Sequence, residues 1–543
     1  MKMQKPYTGK KFKEILKMAK RGYADAQCNV GSCYCNGLGV KKNCENAIYW
    51  YTKSAEQGNA DAQNSLASCY SHGHKVERDE EKVFFWYMKS AEQGNAVGQN
   101  GLSTCYFNGC GVEKDYEKAV YWSTKSAEQG YVYGQYNVAV FYLNGIGVEK
   151  DEEKAFFWYM KAAEQGNAGA QNALAICYYN GRGVEKDEKK AAFWYMKSAE
   201  QGDVNGQSAL GLCYHEGRGV EKDYEKAVYW HTLAAEQGSS TAQHNLGTCY
   251  GYGEGVEIDD EKAVYWYTKA AEQGIDLAQY NLAVRYYCGE GVEKDYEKAA
   301  YWYTKSAEQG FDEAQFALGD CYYEGEGVEK DYEKAVYWYT KSAEQGSGEA
   351  QFSLGFCYYN GKGVEQDYEK AVYWYTKSAE QGNANGQCNV AYCYYNGNGV
   401  EKDEEKAVYW FTLAAEQGEE NAQYSLGLCY YTGCGVEQDY KKAVYWYTKS
   451  AEQGDVNAQY ILALCYYKGY GVEQEYEKTV YWFTLAAEQG DADAQYSLGL
   501  CYYNGYGVEQ EYEKAVYWFL KSAKQGSEDA QNMLNDLRAA GWL

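Results

Sequence analysis

The sequence predicts an all-α protein, an α/α solenoid of about 14 two-helix repeats of 36 residues with a capping helix at each end. Three features point there. Tryptophan falls at residues 50, 86, 122, 158, 194, 230, 266, 302, 338, 374, 410, 446, 482 and 518, an unbroken spacing of 36. Each period holds two segments with apolar residues at helical spacing. In every period except the second, a Gly-x-Gly pair separates them. Such a chain stacks copies of one small unit instead of closing around a single pocket, which favours binding over catalysis.

The first element is basic. Residues 8–21 place Phe12, Ile15, Leu16 and Ala19 on one helical face, so the segment 1–22 reads as a capping helix with its lysines in water. The repeats then run from 23 to 526 without an insertion, which predicts one continuous domain. In the last full period, 494–504 is expected as helix A, 505–508 as the turn and 511–525 as helix B. Glycine after helix A supplies a left-handed cap. Aspartate before helix B (Asp79, Asp115, Asp151, Asp187 and onward) caps free amides at the positive end of the helix dipole. The second period reads Gly73-His74-Lys75, and its turn is expected to differ.

Turning helix A by about 100° per residue puts Ala494, Leu498, Cys501, Tyr502 and Gly505 on the buried face, with Tyr496, Leu500 and Tyr503 pointing away. On helix B the same turning buries Ala515, Trp518, Phe519, Ser522 and Ala523, the tryptophan column supplying the largest apolar area. Gly499 and its equivalents stay small so that helices approach closely. Residues 527–543 read as a closing helix with Ala530 and Leu534 inward, and Arg538 stands where other units carry a column tyrosine.

Composition narrows the partners. Net charge is −26, and residues 1–22 contribute +7, leaving −33 on the remainder, so phosphate backbones are repelled and no nucleic-acid partner is expected. No apolar run approaches the roughly 18 residues of a membrane span, and no transmembrane segment is expected. The N-terminal segment lacks an apolar core and a small-residue cleavage site, unlike a secretory signal. Of 19 cysteines, twelve share one column: Cys33, Cys69, Cys105, Cys177, Cys213, Cys249, Cys321, Cys357, Cys393, Cys429, Cys465 and Cys501. Equivalent atoms of stacked helical units lie about 8–10 Å apart, beyond the roughly 7 Å between Cα atoms that a disulfide tolerates. A reduced core and a cytoplasmic location follow as expectations.

The pattern Ala494, Leu498-Gly499, Tyr502, Gly505-x-Gly507-Val508, Ala515, Trp518-Phe519, Ser522-Ala523 and Gly526 resembles the Sel-1-like repeat, a relative of the tetratricopeptide repeat, over nearly the whole chain. The resemblance implies a right-handed superhelix whose helices A line a concave groove, in a family of adaptor proteins that assemble complexes. Cysteine-rich secreted members are described with one disulfide in each repeat. A second periodic cysteine column is missing here.

Function is expected where the columns vary. From Tyr287 the column of Tyr503 is a ladder: Tyr287, Tyr323, Tyr359, Tyr395, Tyr431, Tyr467 and Tyr503. Phe316, Phe352, Tyr424, Tyr460 and Tyr496 widen it. These twelve rings form the expected partner-binding surface, since rigid aromatics dominate binding hot spots. The residue before each tryptophan is also aromatic, from Tyr49 to Tyr517, where the family usually carries a polar residue. This second column lies about 200° from Ala515, and partial cover by the next unit is expected there.

Catalytic signals are weak. No Ser-x-x-Lys occurs, and each Gly-x-Gly opens a helical turn, not a phosphate loop. Cys69, His72 and His74, or Cys28, Cys33, Cys35 and Cys44, are spaced for a metal, but Cys33 and Cys69 are core-column residues. His215 and His244 read as an ordinary exposed pair. The expected function is a non-catalytic protein-protein interaction scaffold, without cofactor or metal, that binds a peptide or protein in an aromatic, acidic concave groove. The alternatives are a structural solenoid self-associating through the column of Tyr517, or a metal-dependent or hydrolytic activity near residues 72–75.

Overall fold

The computed structural model describes residues 9–73, 77–539 and 541. The turn at His74 and Lys75 lies outside the described residues, and so do Lys2 and Lys5. Among the described residues there are 30 helices and no strand. The chain divides into two compact units, Met1–Gln273 and Gly274–Leu543, each a stack of helix pairs.

The period 348–383 shows how the sequence makes a pair. Helix A, Gly348–Asn360, starts after Ser347, whose hydroxyl accepts the Ala350 amide at 3.3 Å. Helix B, Tyr368–Glu380, starts after Asp367, whose Oδ1 accepts the Lys370 amide at 3.0 Å. The Lys370 ammonium closes on the other carboxylate oxygen at 3.2 Å. Glu475 and Glu511 replace this aspartate in two late units and make no such cap. Their longer carboxylates take Lys478 and Lys514 instead.

The two glycines of the turn do different work. Gly361 takes φ 68° as the left-handed end of helix A, and a Cβ there would meet nothing nearer than Gln366 Cβ at 3.3 Å. Gly363, with φ 70°, lies against the first residue of the preceding helix B, where a Cβ would overlap the Tyr332 carbonyl oxygen. Gly183 meets the Glu152 carbonyl in the same way in the other compact unit. At these positions the second glycine is therefore where the turn rests on its neighbour's backbone, a role beyond capping.

The core column is the residue that follows the tryptophan, a ring in every unit but the third, where it is Ser123. Tyr267, Tyr375, Phe411, Tyr447 and Phe519 are at most 1% exposed. Each ring that faces a helix A glycine fills the space a side chain would need: a Cβ on Gly355 would come within 2.7 Å of Tyr375 Cδ1, and one on Gly499 within 2.6 Å of Phe519 Cε1. Small residues are required there, as expected. The tryptophans themselves, Trp302, Trp374, Trp410 and Trp518 among them, are only half-buried, which corrects the expectation of a buried tryptophan stack. About 100° per residue puts Trp518 some 60° to one side of Ala515, at the stripe's edge, whereas the fully buried Ser522 and Phe519 flank Ala515 closely. Tyr502, expected to be buried, is half-buried as well.

A glutamine column ties consecutive pairs together. Gln351 Nε2 donates to the Ala343 carbonyl of the preceding helix B at 3.1 Å. Its Oε1 accepts from Gln381 Nε2 at the end of its own helix B at 2.6 Å. Gln63, Gln171, Gln423 and Gln495 repeat the arrangement. These side chains are about as buried as the apolar core, and both ends of the amide are satisfied.

The end helices are Gly9–Lys20 and Glu528–Ala539. Phe12 and Ala19 are buried in the first, with Lys10, Lys13, Lys17 and Lys20 exposed. Ala530, Leu534 and Leu537 are buried in the last, with Arg538 exposed.

Candidate interaction surface

All twelve aromatic residues expected at the partner surface lie half-buried on helices A of Gly274–Leu543. Their rings cover the core column instead of standing clear of it. Phe316 packs on Tyr339, Phe352 on Tyr375 and Tyr424 on Tyr447 with centroids 5.9 Å apart. Tyr460 and Tyr496 meet Phe483 and Phe519 at 5.7 Å. In the other column, Tyr323 and Tyr359 meet Tyr332 and Tyr368 edge-on at 5.0 Å. Tyr287, Tyr431, Tyr467 and Tyr503 likewise meet the tyrosine that opens helix B. Position 404 is Glu, so Tyr395 has no such ring and lies under the Lys402 ammonium at 5.7 Å.

The middle residue of the next Gly-x-Gly engages the ladder tyrosines from Tyr287 to Tyr467 from the other side. Tyr287 Oη donates to Glu326 Oε2 at 2.6 Å. Tyr323 Oη accepts from Lys362 Nζ at 2.7 Å, and Tyr359 Oη from Asn398 Nδ2 at 2.9 Å. Tyr431 meets the Tyr470 ring at 6.3 Å and Tyr467 the Tyr506 ring at 6.0 Å. Sequence reasoning missed these positions because they lie inside a turn. Their variation along the chain, through Glu, Lys, Asn, Cys and Tyr, was the available signal.

A recess of about 400 Å³ opens beside this ladder, between helix Asp312–Glu324 and helix Gly348–Asn360. Asp320, Tyr323, Glu324, Tyr339, Phe352, Ser353 and Phe356 line it. Burial pushes the Asp320 carboxyl up from 3.8 to about 6, although Tyr339 Oη donates to its Oδ1 at 2.7 Å and opposes the shift. At neutral pH the recess therefore holds a carboxylate with little water around it, framed by ring faces. The Lys362 ammonium already lies 5.0 Å from the Tyr323 ring centre and 5.7 Å from that of Phe356. Carboxylates and ring faces together suit a cationic side chain.

The Asp320 shift has a stability consequence. Its folded value lies above its unfolded one, so between about pH 4 and pH 6 the native state holds a proton that the unfolded chain has released. Stability is expected to fall as pH rises through that window and to level off above it. Melting of wild type beside Asp320→Asn checks this: the substitution should remove that component of the slope, and unchanged slopes would contradict the buried carboxyl.

The other aromatic column is open. Tyr337, Tyr373 and Tyr409 are 54%, 55% and 58% exposed, and the rest of the column from Tyr49 to Tyr517 is exposed too. This corrects the expectation of partial cover. Each ring leans edge-on against its own tryptophan, as Tyr373 does on Trp374 at 5.0 Å, and the next unit leaves it in water.

All 19 cysteines are free thiols, and the twelve of the core column are buried. Burial pushes Cys177 up to about 11 and Cys357, Cys393 and Cys501 up to about 12. Cys28, Cys35 and Cys44 are half-buried. His72 is exposed, with Nδ1 2.9 Å from the Ser68 carbonyl, and His74 lies outside the described residues. His215 and His244 are half-buried, not an exposed pair, and both lie near the fully buried His231.

The Sel1 repeat family model matches fourteen times, at residues 24–59, 60–95, 96–131, 132–167, 168–203, 204–239, 240–275, 276–311, 312–347, 348–383, 384–419, 421–455, 456–491 and 492–527. No curated protein matches the chain. Among solved structures, a protective antigen present in uropathogenic Escherichia coli strains and displaying an SLR fold is 37% identical, with a TM-score of 0.70 over 84% of this chain and 96% of that one. A Sel1 repeat protein from Oxalobacter formigenes is 35% identical over 57% of this chain and 89% of its own, with a TM-score of 0.45. Helicobacter pylori cysteine rich protein B is 30% identical over 24% of this chain and 92% of its own, with a TM-score of 0.20. With its repeats matched from residue 24 to residue 527 and its helix pairs shared with a solved SLR protein, the chain belongs to the Sel1 repeat family.

Proposed function

We propose that this chain is a non-catalytic interaction scaffold that holds a basic peptide segment of a protein partner along the aromatic, acidic face of helices A in Gly274–Leu543. The observation that carries this reading is the recess at Asp320. It joins two carboxylates to the rings of Tyr323, Phe352 and Phe356, and an ammonium of the chain itself already lies over two of those rings. The −26 net charge favours the approach of a cationic partner. Among the described residues no helix is long and apolar enough to cross a membrane. The buried free thiols suit a reducing compartment, and we place the protein in the cytoplasm.

Fluorescence anisotropy with short labelled peptides tests the reading. Lys/Arg-rich peptides should bind, and Asp/Glu-rich peptides of equal length should not. Asp320→Asn should weaken the basic set about fivefold or more, the scale of one moderate hot spot, and wild-type affinity should fall as pH drops below about 6. Equal binding of both sets, or an unaffected variant, would refute a cationic ligand at this recess. The exposed column of Tyr373 favours a second reading, self-association, which light scattering across a concentration series decides.

A further inference from the structure

Three of the five histidines fall within 30 residues, at columns that hold tyrosine or phenylalanine in many other units. His215, on helix Val204–Glu216, takes the place of a ladder tyrosine, and its Nε2 lies 2.7 Å from Glu254 Oε2. Glu254 is the middle residue of Gly253-Glu254-Gly255, the position that engages the ladder elsewhere. Cys249, on helix Ser240–Tyr252, is 0% exposed and lies beside them. The ligand atoms of His215, Cys249 and Glu254 are all within 4.8 Å of one another, the single group of this kind among the described residues.

A second observation points to a missing ligand. His231 replaces the core-column ring and is 0% exposed, yet neither ring nitrogen has a hydrogen-bond partner. Both nitrogens of this buried imidazole are therefore unsatisfied polar atoms. Such atoms are rare in native proteins, and each asks for an explanation. Helix A fixes the ring, since a Cβ on Gly211 would come within 2.6 Å of its Nδ1.

We propose that His215 Nε2, Cys249 Sγ and Glu254 form a binding site for one divalent ion of the zinc type, with water in the fourth position. One imidazole, one thiolate and one carboxylate suit zinc, and the sulfur and nitrogen ligands select against calcium and magnesium. Charge balances: the dication cancels Cys249 thiolate and Glu254 carboxylate, leaving a neutral assembly where Cys249 is buried. On binding, the Cys249 S–H bond breaks, the sulfur pair goes to the metal and the proton leaves to solvent. Tetrahedral coordination separates ligand atoms by roughly 3.3–3.8 Å, so the His215–Glu254 contact opens by well under 2 Å.

Cobalt titration of the chelator-stripped full chain tests this. One saturable equivalent should appear with thiolate-to-cobalt charge-transfer absorption, and zinc should displace it. Cys249→Ser should abolish that absorption, while Cys213→Ser, in the same column one unit earlier, should leave it unchanged. His215→Ala and Glu254→Gln, both at half-buried positions, should each weaken cobalt binding at least tenfold with helical content preserved, so the site remains testable if the buried variant misfolds. Absence of the charge-transfer absorption, its persistence in Cys249→Ser, or wild-type affinity in both His215→Ala and Glu254→Gln would overturn the proposal. In each of those cases His215 and Glu254 would be a hydrogen-bonded pair like Tyr287 and Glu326.

Discussion

Replacing Phe411 by Ala should cost about 3–5 kcal/mol, whereas Tyr409→Ala should cost under about 1 kcal/mol and Trp410→Ala an intermediate amount. The three rings are consecutive on helix Glu404–Glu416 and differ chiefly in burial. Phe411 is 1% exposed among Ala391, Ala407, Leu426 and Cys429, with Tyr392 edge-on at 5.0 Å, so its removal leaves a cavity in the core. Trp410 is half-buried on the same cluster, and Tyr409 is 58% exposed. Urea melts of the three variants rank them. A Trp410→Ala cost larger than that of Phe411→Ala would return the core to the tryptophan column.

Gly363→Ala should cost several kcal/mol, while Gly361→Asn should stay within about 1 kcal/mol of wild type. Both glycines have positive φ, so the left-handed conformation costs either substitution something, and asparagine tolerates it best. Only Gly363 also touches neighbouring backbone, where its new Cβ would meet the Tyr332 carbonyl and force the two pairs apart. Stacked units are coupled mainly to their neighbours, so the loss should spread. Hydrogen exchange reads it: protection should fall around both 332 and 363 in Gly363→Ala and stay near wild type in Gly361→Asn. Equal effects would reduce the Gly-x-Gly motif to a capping device.

Much of the fold was legible because stacking repeats it. The period fixes the pair, and aspartate and glycine mark where helix B begins and helix A ends. In the end helices Phe12, Ala19 and Leu534 are buried, while Ile15 and Leu16 on the same expected face are half-buried. Helical turning alone misjudged Trp518 and Tyr502, because a sector on a wheel says nothing of how far a large ring reaches past the stripe's edge. It could not reveal that Tyr517 and its equivalents stay in water, which depends on where the next pair lies. Glutamine columns such as Gln351 and Gln381 went unread for another reason: polar residues look like surface until their partners 30 residues away are seen. The candidate surface was legible as a row of rings, but the turn residues that hold those rings, Glu326, Lys362 and Asn398, were not. Neither was the carboxylate of Asp320.

The most direct test of the scaffold reading is quantitative affinity capture from the native source, comparing wild type with two triple variants matched for helical content and melting. Tyr359, Tyr395 and Tyr431 replaced by Ser should weaken partner capture well over tenfold, at about 1–2 kcal/mol for each moderate hot spot. Tyr337, Tyr373 and Tyr409 replaced by Ser, on the exposed column of helices B, should capture the partner as wild type does. Retention by the first variant together with loss from the second would contradict the account and assign the function to the opposite face.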